Sequence, residues 1–178
     1  MPAATPEILG KAKRVRLMLF DVDGVLTDGR LWYGPSGESL KSFSVLDGHG
    51  IKLLSQSGVA IALLSGRSSV AVSTRAAELG IQTVLQGVDE KLPAFEGLTA
   101  KLGIPAAEAG YMGDELVDLP VLRRCGFACA PPGAIELVRS HAHYVADAPA
   151  GAGAVREVCE LLMQAQGTLA PALGRYLA

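Results

Sequence analysis

The sequence predicts an α/β domain built on a parallel β-sheet. Short apolar runs without polar alternation, such as VRLMLF (15–20) and VAIALL (59–64), are typical of strands buried on both faces. Helical segments separate these runs, and this order and spacing favour parallel strands joined by right-handed crossovers. The chain has 178 residues, 49% of them apolar, which is enough for one domain with a substantial core.

Local patterns place the other elements in chain order. Alternation on both sides of the turn sequence GPSG (34–37) predicts a β-hairpin at about residues 29–45, with arms at 30–33 and 38–45. Further strands are expected at 83–85, 109–112, 127–130 and 143–145. Apolar residues at helical spacing, with Asp47 as a cap and glycines as stops, predict helices at 47–57, 68–79, 89–102, 115–123, 135–139 and 154–164. Pro120 requires the fourth of these helices to be short or broken.

The chain divides into an N-terminal segment (1–13), one domain (14–167) and a C-terminal tail (168–178). The tail contains Gly and Pro and ends in Tyr176-Leu177-Ala178. Such a segment is expected to be flexible or to dock on something outside the core.

Composition argues against several classes of partner. The 16 basic and 18 acidic residues give a net charge of −2, so the chain lacks the basic surface of a nucleic-acid-binding protein. The N-terminus has no signal-peptide core, and no apolar stretch approaches the roughly 18 residues of a membrane span. We therefore expect a cytoplasmic protein with no membrane partner. Cys125, Cys129 and Cys159 form an odd, scattered set, which predicts reduced core thiols.

Polar residues follow four of the predicted strands. In a parallel sheet the carboxyl ends of the strands share one edge, where ligands bind. The residues that reach this edge, in chain order, are Asp21 and Asp23, then Ser65-Gly66-Arg67, then Lys91, and finally Asp114 with Glu115 and Asp118. Each group alone has an ordinary interpretation as a turn, a helix cap or a solvated lysine. Their arrival at one edge favours a functional site.

Three of these residues suit a metal and a nucleophile. Asp21, Asp23 and Asp114 would place three carboxylates around one point, which a hard divalent cation would neutralise, and Mg²⁺ is the best match. Without a Ser-His-Asp set in the sequence, the expected nucleophile is a carboxylate. We assign it to Asp21, which would form an aspartyl phosphate. Asp23 would protonate the leaving oxygen and then activate water.

The remaining residues suit a phosphoryl group. Ser65, Gly66 and the backbone N–H groups at a helix start can bind phosphate oxygens. Lys91 supplies a positive charge for the same group, and Asp118 could hold that lysine. The set predicts phosphoryl transfer driven by positioning and electrostatics.

In the order of its motifs, the chain resembles the haloacid dehalogenase-like phosphatases. The matching motifs are DVDGVLTDG (21–29), SGR (65–67), Lys91, and GD (113–114) with Asp118. The match narrows to the 3-deoxy-D-manno-octulosonate (KDO) 8-phosphate phosphatase group through the hairpin, SVLDGHGI (44–51), QG (86–87) and GAVREVCELLMQAQG (153–167). It covers roughly residues 14–167.

The resemblance implies a Rossmann-like three-layer sandwich with a β-hairpin after the first strand and no large cap domain. It also implies a homotetramer in which hairpins associate and the tail can cover a neighbour's site. The apolar hairpin residues Leu31, Trp32, Tyr33 and Phe43 fit such an interface, or they pack on this subunit's own core.

The resemblance implies an activity and a set of roles. The activity is Mg²⁺-dependent release of phosphate from a phosphorylated sugar acid, KDO 8-phosphate, in lipopolysaccharide precursor synthesis. Asp21 would be nucleophile and metal ligand, Asp23 acid/base and metal ligand through its carbonyl, Asp114 a metal ligand, and Ser65 and Lys91 phosphate ligands. The implied substrate contacts are Asp23, Ser44, Val45, Leu46, Asp47, Gly48, Lys52, Arg67 and Arg75. Lys52, Arg67 and Arg75 suit a substrate carboxylate, although solvated helix faces are the ordinary alternative.

Three residues depart from the group's pattern. Leu46 and Ala152 stand where the group often has arginine, and Glu115 stands where a second aspartate is usual. Glu115 would preserve the metal chemistry. The loss of two cations weakens the case for this particular sugar acid.

Other hypotheses remain open at this point. The substrate could be a nine-carbon sialic-type acid phosphate or a broad range of phosphomonoesters. A receiver-like phosphoaspartate signalling module combines similar residues, but the Asp21–Asp23 spacing favours turnover. A catalytically silent binding domain is disfavoured because every matched catalytic position is intact. His141 and His143 could suggest a metal pair, although no third ligand is near in sequence, and His49 could contact substrate.

Overall fold

The structure, a computed structural model, describes residues 5–35 and 37–177. Its strands are β1 (Leu17–Phe20), β2 (Trp32–Gly34), β3 (Gly37–Leu40), β4 (Ala60–Leu64), β5 (Thr83–Leu85), β6 (Ala109–Met112), β7 (Phe127–Ala130) and β8 (Tyr144–Val145). Its α-helices are α1 (Pro6–Ala12), α2 (Val45–Gln56), α3 (Val70–Leu79), α4 (Lys91–Leu102), α5 (Leu119–Leu122), α6 (Glu136–Arg139), α7 (Ala154–Gln166) and α8 (Leu169–Gly174). Two 3₁₀ turns lie at Ala106–Glu108 and Leu116–Asp118.

Six of the strands form one parallel sheet in the order β5-β4-β1-β6-β7-β8. The other two, β2 and β3, pair antiparallel as a separate hairpin after β1. Helices cover both faces of the sheet, each over its own apolar core. The predicted three-layer α/β sandwich with a hairpin insertion and no large cap domain is confirmed.

The central strand β1 shows why the sequence lacks polar alternation there. Met18 and Phe20 pack into the core beneath α2 and α7, whereas Leu17 and Leu19 pack into the core beneath α4. All four side chains are buried. Burial of each such side chain stabilises the fold by about 1.5–3 kcal/mol relative to leaving it in water. Burial of these four residues therefore stabilises β1 at the centre of the sheet, although the strand is short.

Parallel register aligns the strand ends that carry the polar residues. Phe20 at the end of β1 pairs with Leu63 in β4 and with Met112 at the end of β6. The loops that follow β1, β4 and β6 therefore leave the sheet at the same edge.

The hairpin is shorter than predicted, with arms at 32–34 and 37–40. The second arm was expected to reach residue 45, but α2 begins there because Ser44 caps it, its Oγ accepting the Asp47 N–H at 3.3 Å. Leu31, Trp32 and Tyr33 are exposed, whereas Phe43 packs against this chain's own core.

Helix boundaries follow local caps. Helix α4 starts at Lys91 with Glu90 in the N-cap position. The predicted helix at 115–123 is divided into a 3₁₀ turn and the short α5, with Pro120 in the first turn of α5, where it costs no hydrogen bond.

Both chain ends carry a helix that the sequence patterns did not predict. Thr5 caps α1, its Oγ1 accepting the Ile8 N–H at 3.3 Å. In the tail, Leu169 and Ala172 of α8 pack against the chain's own core. These helices have seven and six residues, too few to show a helical period. Among the described residues, no helix combines the length and apolarity needed to cross a bilayer.

Candidate active site

A cleft of about 290 Å³ opens at the carboxyl ends of β1, β4 and β6. It is lined by residues from several separate segments, namely Asp21, Asp23, Gly29, Ser65, Gly66, Arg67, Lys91, Asp114, Glu115 and Val117. The structure thus brings together all of the predicted metal-binding and phosphate-binding residues.

Both oxygens of the Asp21 carboxylate are held. Oδ1 accepts a hydrogen bond from the Val22 N–H at 2.7 Å, and Oδ2 lies 3.0 Å from Lys91 Nζ. The Asp21 N–H donates to the Met112 carbonyl at 3.0 Å, which ties the residue to the neighbouring strand. Asp21 is only 6% exposed. Its carboxylate therefore has a fixed orientation at the cleft.

A buried network holds Lys91. Its Nζ lies 2.6 Å from Asp118 Oδ1 and 3.3 Å from the Tyr111 hydroxyl, which donates to the same carboxylate oxygen at 2.6 Å. The other oxygen, Asp118 Oδ2, accepts the N–H groups of Asp114 and Glu115 at 2.9 and 3.1 Å. Asp118 thus joins the lysine to the loop after β6, as the sequence suggested it could.

Three carboxylates approach one another closely enough to share a cation. Within the described residues, Asp21, Asp114 and Asp118 bring oxygen atoms within 4.8 Å of one another. Each oxygen of Asp118 already accepts two hydrogen bonds, whereas each oxygen of Asp21 has one partner among the residues described, which favours Asp21 and Asp114 as the metal ligands. Asp114 Oδ1 is buried and has no hydrogen-bond partner in the described part of the chain. A buried acceptor without a donor fits a metal ligand, and oxygen ligands suit Mg²⁺.

Gly24 makes room for Asp114. Its backbone has φ +81°, and a Cβ at this position would lie 2.0 Å from Asp114 Oδ2. A side chain is therefore excluded both by backbone conformation and by space. The loop after β1 can approach the Asp114 carboxylate only because this residue is glycine.

The buried carboxylates of the site would be stabilised by an additional positive charge. Burial raises the pKa of Asp21 to about 6, and the Asp118 carboxylate adds to the rise, while Lys91 opposes it. Burial and then the Asp21 and Asp118 carboxylates raise the pKa of Asp114 to about 7. Burial alone would lower the pKa of Lys91, but the two neighbouring carboxylates, Asp21 and Asp118, outweigh it and raise that pKa. One lysine does not neutralise this set of acids.

The Asp23 carboxylate does not belong to this cluster of acids. Its Oδ1 accepts a hydrogen bond from Lys41 Nζ, and its Oδ2 lies 3.7 Å from Arg67 Nε. Arg67 also donates to the hydroxyl of Tyr33 at 3.2 Å. The expectation that the carboxylates of Asp21, Asp23 and Asp114 surround one point therefore does not hold for the Asp23 side chain. The chain is not extended here, because it turns directly after β1, where the Leu26 N–H donates to the Val22 carbonyl at 2.9 Å.

Ser65 lies directly after β4 and is 2% exposed. Its Oγ accepts the Arg67 N–H at 3.3 Å, and its own N–H donates to the Leu85 carbonyl at 2.8 Å. Helix α3 begins only at Val70, so the N–H groups nearest to Ser65 belong to a loop and not to a helical turn.

No family model matches the chain, but its sequence is similar to those of known proteins. It is 43% identical to the 3-deoxy-D-manno-octulosonate 8-phosphate phosphatase KdsC of Salmonella typhimurium over 97% of this chain and 92% of that protein. KdsC of Escherichia coli K12 is also 43% identical, over 96% of this chain and 91% of that protein.

Solved structures agree. The phosphatase of the same name from Moraxella catarrhalis, in complex with a magnesium ion, a phosphate ion and KDO, superposes with a TM-score of 0.93 at 44% identity, over 96% of this chain and 98% of that one. A probable YrbI family phosphatase from Pseudomonas syringae superposes with a TM-score of 0.96 at 45% identity, over 98% and 99% of the two chains.

The chain belongs to the KDO 8-phosphate phosphatase family.

This family lies within the haloacid dehalogenase superfamily and its members are phosphoric monoester hydrolases. The predicted membership and enzyme class are therefore confirmed. A cobalt-bound family structure from Haemophilus influenzae, with a TM-score of 0.88 at 40% identity over 90% of this chain and 94% of that one, also contains a divalent metal.

The substrate-contact positions that the resemblance implies lie in different parts of the structure. Asp23 and Arg67 line the cleft. Ser44, Gly48 and Arg75 line a separate small cavity in this chain, where Arg75 Nη2 donates to the Ser44 carbonyl at 3.2 Å. Of the remaining positions, Val45, Leu46 and Lys52 are exposed and none of them lines the described cleft.

Asp47 is buried, and its carboxylate contacts the start of α7. Its Oδ1 accepts the Arg156 N–H at 2.8 Å, and its Oδ2 accepts the Gly153 N–H at 3.2 Å. Its carboxylate therefore ties the start of α2 to the start of α7. Leu46 directly precedes Asp47 in the sequence, and Ala152 directly precedes Gly153. The hydrogen bond between Asp47 and Gly153 therefore places these two departures from the family pattern on the same side of the molecule.

The other polar candidates have structural partners. Glu115 lines the cleft, but its Oε1 accepts the Leu116 N–H at 2.6 Å. His143 Nδ1 accepts the Ala128 N–H at 2.8 Å, and the Tyr176 hydroxyl lies 3.3 Å from His49 Nε2. No histidine joins a cluster of metal-ligating groups in the described residues. All three cysteines are buried and free, as predicted.

Lys41 and Tyr111 were not among the residues predicted for the site. Lys41 lies two residues before Phe43, which packs on the core, and this spacing was a usable sign that Lys41 also faces inward. Tyr111 gave no sign of its role, because an aromatic residue in a buried strand is usually only part of the core.

Proposed function

We propose that the chain is a Mg²⁺-dependent phosphatase that hydrolyses KDO 8-phosphate through an aspartyl-phosphate intermediate. The observation that carries the proposal is the Asp21 carboxylate, fixed by the Val22 N–H and Lys91 within reach of the buried, unpartnered Asp114 oxygen. Such a site provides a positioned nucleophile beside a place for a cation.

The first step transfers the phosphoryl group to the protein. A carboxylate oxygen of Asp21 attacks phosphorus and forms an O–P bond while the bond from phosphorus to the sugar oxygen breaks. Asp23 donates its proton to that leaving oxygen, so the sugar acid departs as an alcohol. Lys91 and the Ser65 hydroxyl stabilise the charge on the transferred group.

The second step restores the enzyme. Asp23, now a carboxylate, removes a proton from water, and the resulting oxygen attacks phosphorus as the bond to Asp21 breaks. Inorganic phosphate leaves, and Asp23 is protonated again.

Asp21, Asp114 and the Asp23 backbone carbonyl would hold Mg²⁺, which neutralises charge on the phosphate oxygens when it is bound. The raised pKa values of Asp21 and Asp114 support this assignment, because their causes are burial and mutual repulsion, which a cation relieves.

We also propose that the chain acts as a homotetramer. Within the described residues of a single chain, the cations that line the cleft, Arg67 and Lys91, each lie close to an aspartate carboxylate. The other family contact positions, 44–48, 52 and 75, lie outside it. A neighbouring copy could supply them, and the exposed Trp32, Leu40 and Leu46 offer apolar surface for such contacts. The free, buried cysteines support a cytoplasmic location.

Leu46 and Ala152 favour a second candidate substrate. Both replace a cation of the family pattern and both lie beside the Asp47–Gly153 bond, so a related sugar acid, such as a nine-carbon acid phosphate, is a reasonable alternative.

A substrate panel with purified protein tests both proposals. We expect Mg²⁺-dependent phosphate release with the highest kcat/KM on KDO 8-phosphate. A higher value on a nine-carbon acid phosphate would transfer the assignment to that substrate, and similar values on all phosphomonoesters would indicate a broad enzyme. A single stoichiometric burst without turnover would contradict the hydrolase and support a receiver-like module.

A further inference from the structure

Lys41 is a buried ammonium group that the proposed reaction does not use. Its side chain is 1% exposed, and its Nζ donates a hydrogen bond to Asp23 Oδ1. It directly follows β3, so the hairpin delivers it to the cleft. Burying an ammonium group costs several kcal/mol unless it is paired. The pairing with Asp23 therefore explains how this position tolerates a lysine.

The two oxygens of Asp23 differ because of this contact. Oδ1 is engaged by Lys41. Oδ2 is buried, accepts no hydrogen bond from the described residues, and lies 3.7 Å from Arg67 Nε. Asp23 lines the same cleft as the nucleophile Asp21. Of the two, Oδ2 is thus the oxygen whose capacity to accept or share a proton is not used by a hydrogen bond within the described residues.

We infer that Lys41 is a positioning residue for proton transfer: it holds Asp23 Oδ1 and thereby directs Oδ2 toward the leaving oxygen of the substrate. This inference rests on the proposed function, in which Asp23 is the general acid and base. A carboxylic acid whose χ2 is free presents either oxygen in many directions, whereas proton transfer requires hydrogen-bond geometry. Lys41 would remove that freedom without touching the phosphoryl group.

Substrates with different leaving groups can distinguish a role of Lys41 in proton transfer from a role in phosphate binding or in folding. A 4-nitrophenolate leaves readily without a proton, whereas a sugar alkoxide requires one. We expect Lys41→Met to lower kcat about 10²-fold on a sugar-acid phosphate, the size of a general acid contribution, and less than about five-fold on 4-nitrophenyl phosphate. The KM for both substrates and inhibition by inorganic phosphate should change less than about three-fold. Lys101→Met, on the exposed surface of α4, is the matched control.

A double-variant comparison covers the case in which Lys41→Met leaves Asp23 unpaired and does not fold. Asp23→Asn alone and Asp23→Asn with Lys41→Met both lack the carboxylate. If Lys41 acts through Asp23, these two variants should have equal kcat on the sugar-acid phosphate. A further loss of ten-fold or more in the double variant would overturn the inference.

The outcomes separate this inference from the proposed function. An active wild type whose Lys41→Met variant loses the same factor on both substrates, or loses phosphate affinity, would assign Lys41 to phosphate binding or structure and refute positioning alone. A wild type that releases no phosphate from either ester overturns the proposed function and this inference with it.

Discussion

The proposed substrate site has two halves that are built in different ways. The phosphoryl half consists of Asp21, Ser65, Lys91, Asp114 and Asp118, and all but Asp114 are nearly fully buried. The proposed sugar half consists of the contact positions that the resemblance implies, 44–48, 52, 67 and 75. Arg67 lines the cleft, whereas Val45 and Leu46 are 79% and 60% exposed and lie outside it. Aligned strand ends assemble the phosphoryl half, but they do not bring the proposed sugar half together in the same way.

The largest expected effect is the loss of activity when the nucleophile of the phosphoryl half is removed. Asp21→Asn removes the nucleophile and should lower kcat by about 10⁴-fold or more on every phosphomonoester. It should not unfold the protein, because it removes one of several mutually repelling buried acids. Phosphate-release assays with thermal unfolding as a control would check both statements. Retention of activity would show that the nucleophile lies elsewhere.

Gly24→Ala tests how tightly the phosphoryl half is packed. The new Cβ would collide with Asp114 Oδ2, so we expect Mg²⁺ to bind at least ten-fold more weakly, measured by titration calorimetry. Gly97→Ala in α4 is the matched control, since nothing lies within 4 Å of its Cβ. The control should keep the affinity and stabilise the helix by about 0.5–1 kcal/mol. Equal Mg²⁺ affinities in the two variants would refute the steric role of Gly24.

The pH dependence of stability tests the charge of the same half. The folded-state pKa values of Asp21 and Asp114 are about 6 and about 7, above the ordinary value of 3.8. From pH 4 to 7 the folded protein thus retains protons that the unfolded chain has released. The free energy of unfolding of the metal-free protein should therefore fall across this range, by up to about 6 kcal/mol when the contributions of the two groups are added.

Mg²⁺ should reverse this trend because it replaces those protons. We expect the rise in Tm on adding Mg²⁺ to be larger at pH 7.5 than at pH 5. Asp114→Asn should flatten the metal-free profile. A metal-free Tm that rises steadily from pH 4 to 7 would contradict the assignment of these pKa values.

The smallest expected effect concerns the sugar half. Leu40→Ser changes an exposed apolar residue of the hairpin and should weaken self-association in sedimentation experiments without changing Tm by more than a few degrees. If a second copy completes the sugar half, kcat/KM on the sugar-acid phosphate should fall several-fold more than that on 4-nitrophenyl phosphate. An unchanged ratio would indicate that one chain is sufficient.

The difference between aligned strand ends and the other parts of the site also determined which features could be predicted from the sequence. Asp21, Ser65, Lys91 and Asp114 were predictable because each follows a strand or begins a helix, and a parallel sheet forces such positions to one edge. The direction of the Asp23 side chain was not predictable, since it depends on a turn after β1 and on Lys41, which reaches it from a hairpin whose course the sequence does not specify.

The hydrogen-bond partners of buried polar side chains could not be predicted from the sequence either. Asp47 has the pattern of a helix cap and occupies a family contact position, yet its carboxylate binds backbone N–H groups more than 100 positions away. Such a contact depends on tertiary packing alone. The short α1 and α8 were missed for a related reason, because packing against the core, and not helical periodicity, stabilises them.

The Asp47 carboxylate has a mechanical consequence. It anchors the 44–48 segment to the first turn of α7, whose opposite side is embedded in the interior, so this segment cannot move as a flap without dislodging an entire helix. If the segment contacts the substrate, as we propose, selection among sugar acids would rest on the shape of a stiff surface and not on closure over the ligand.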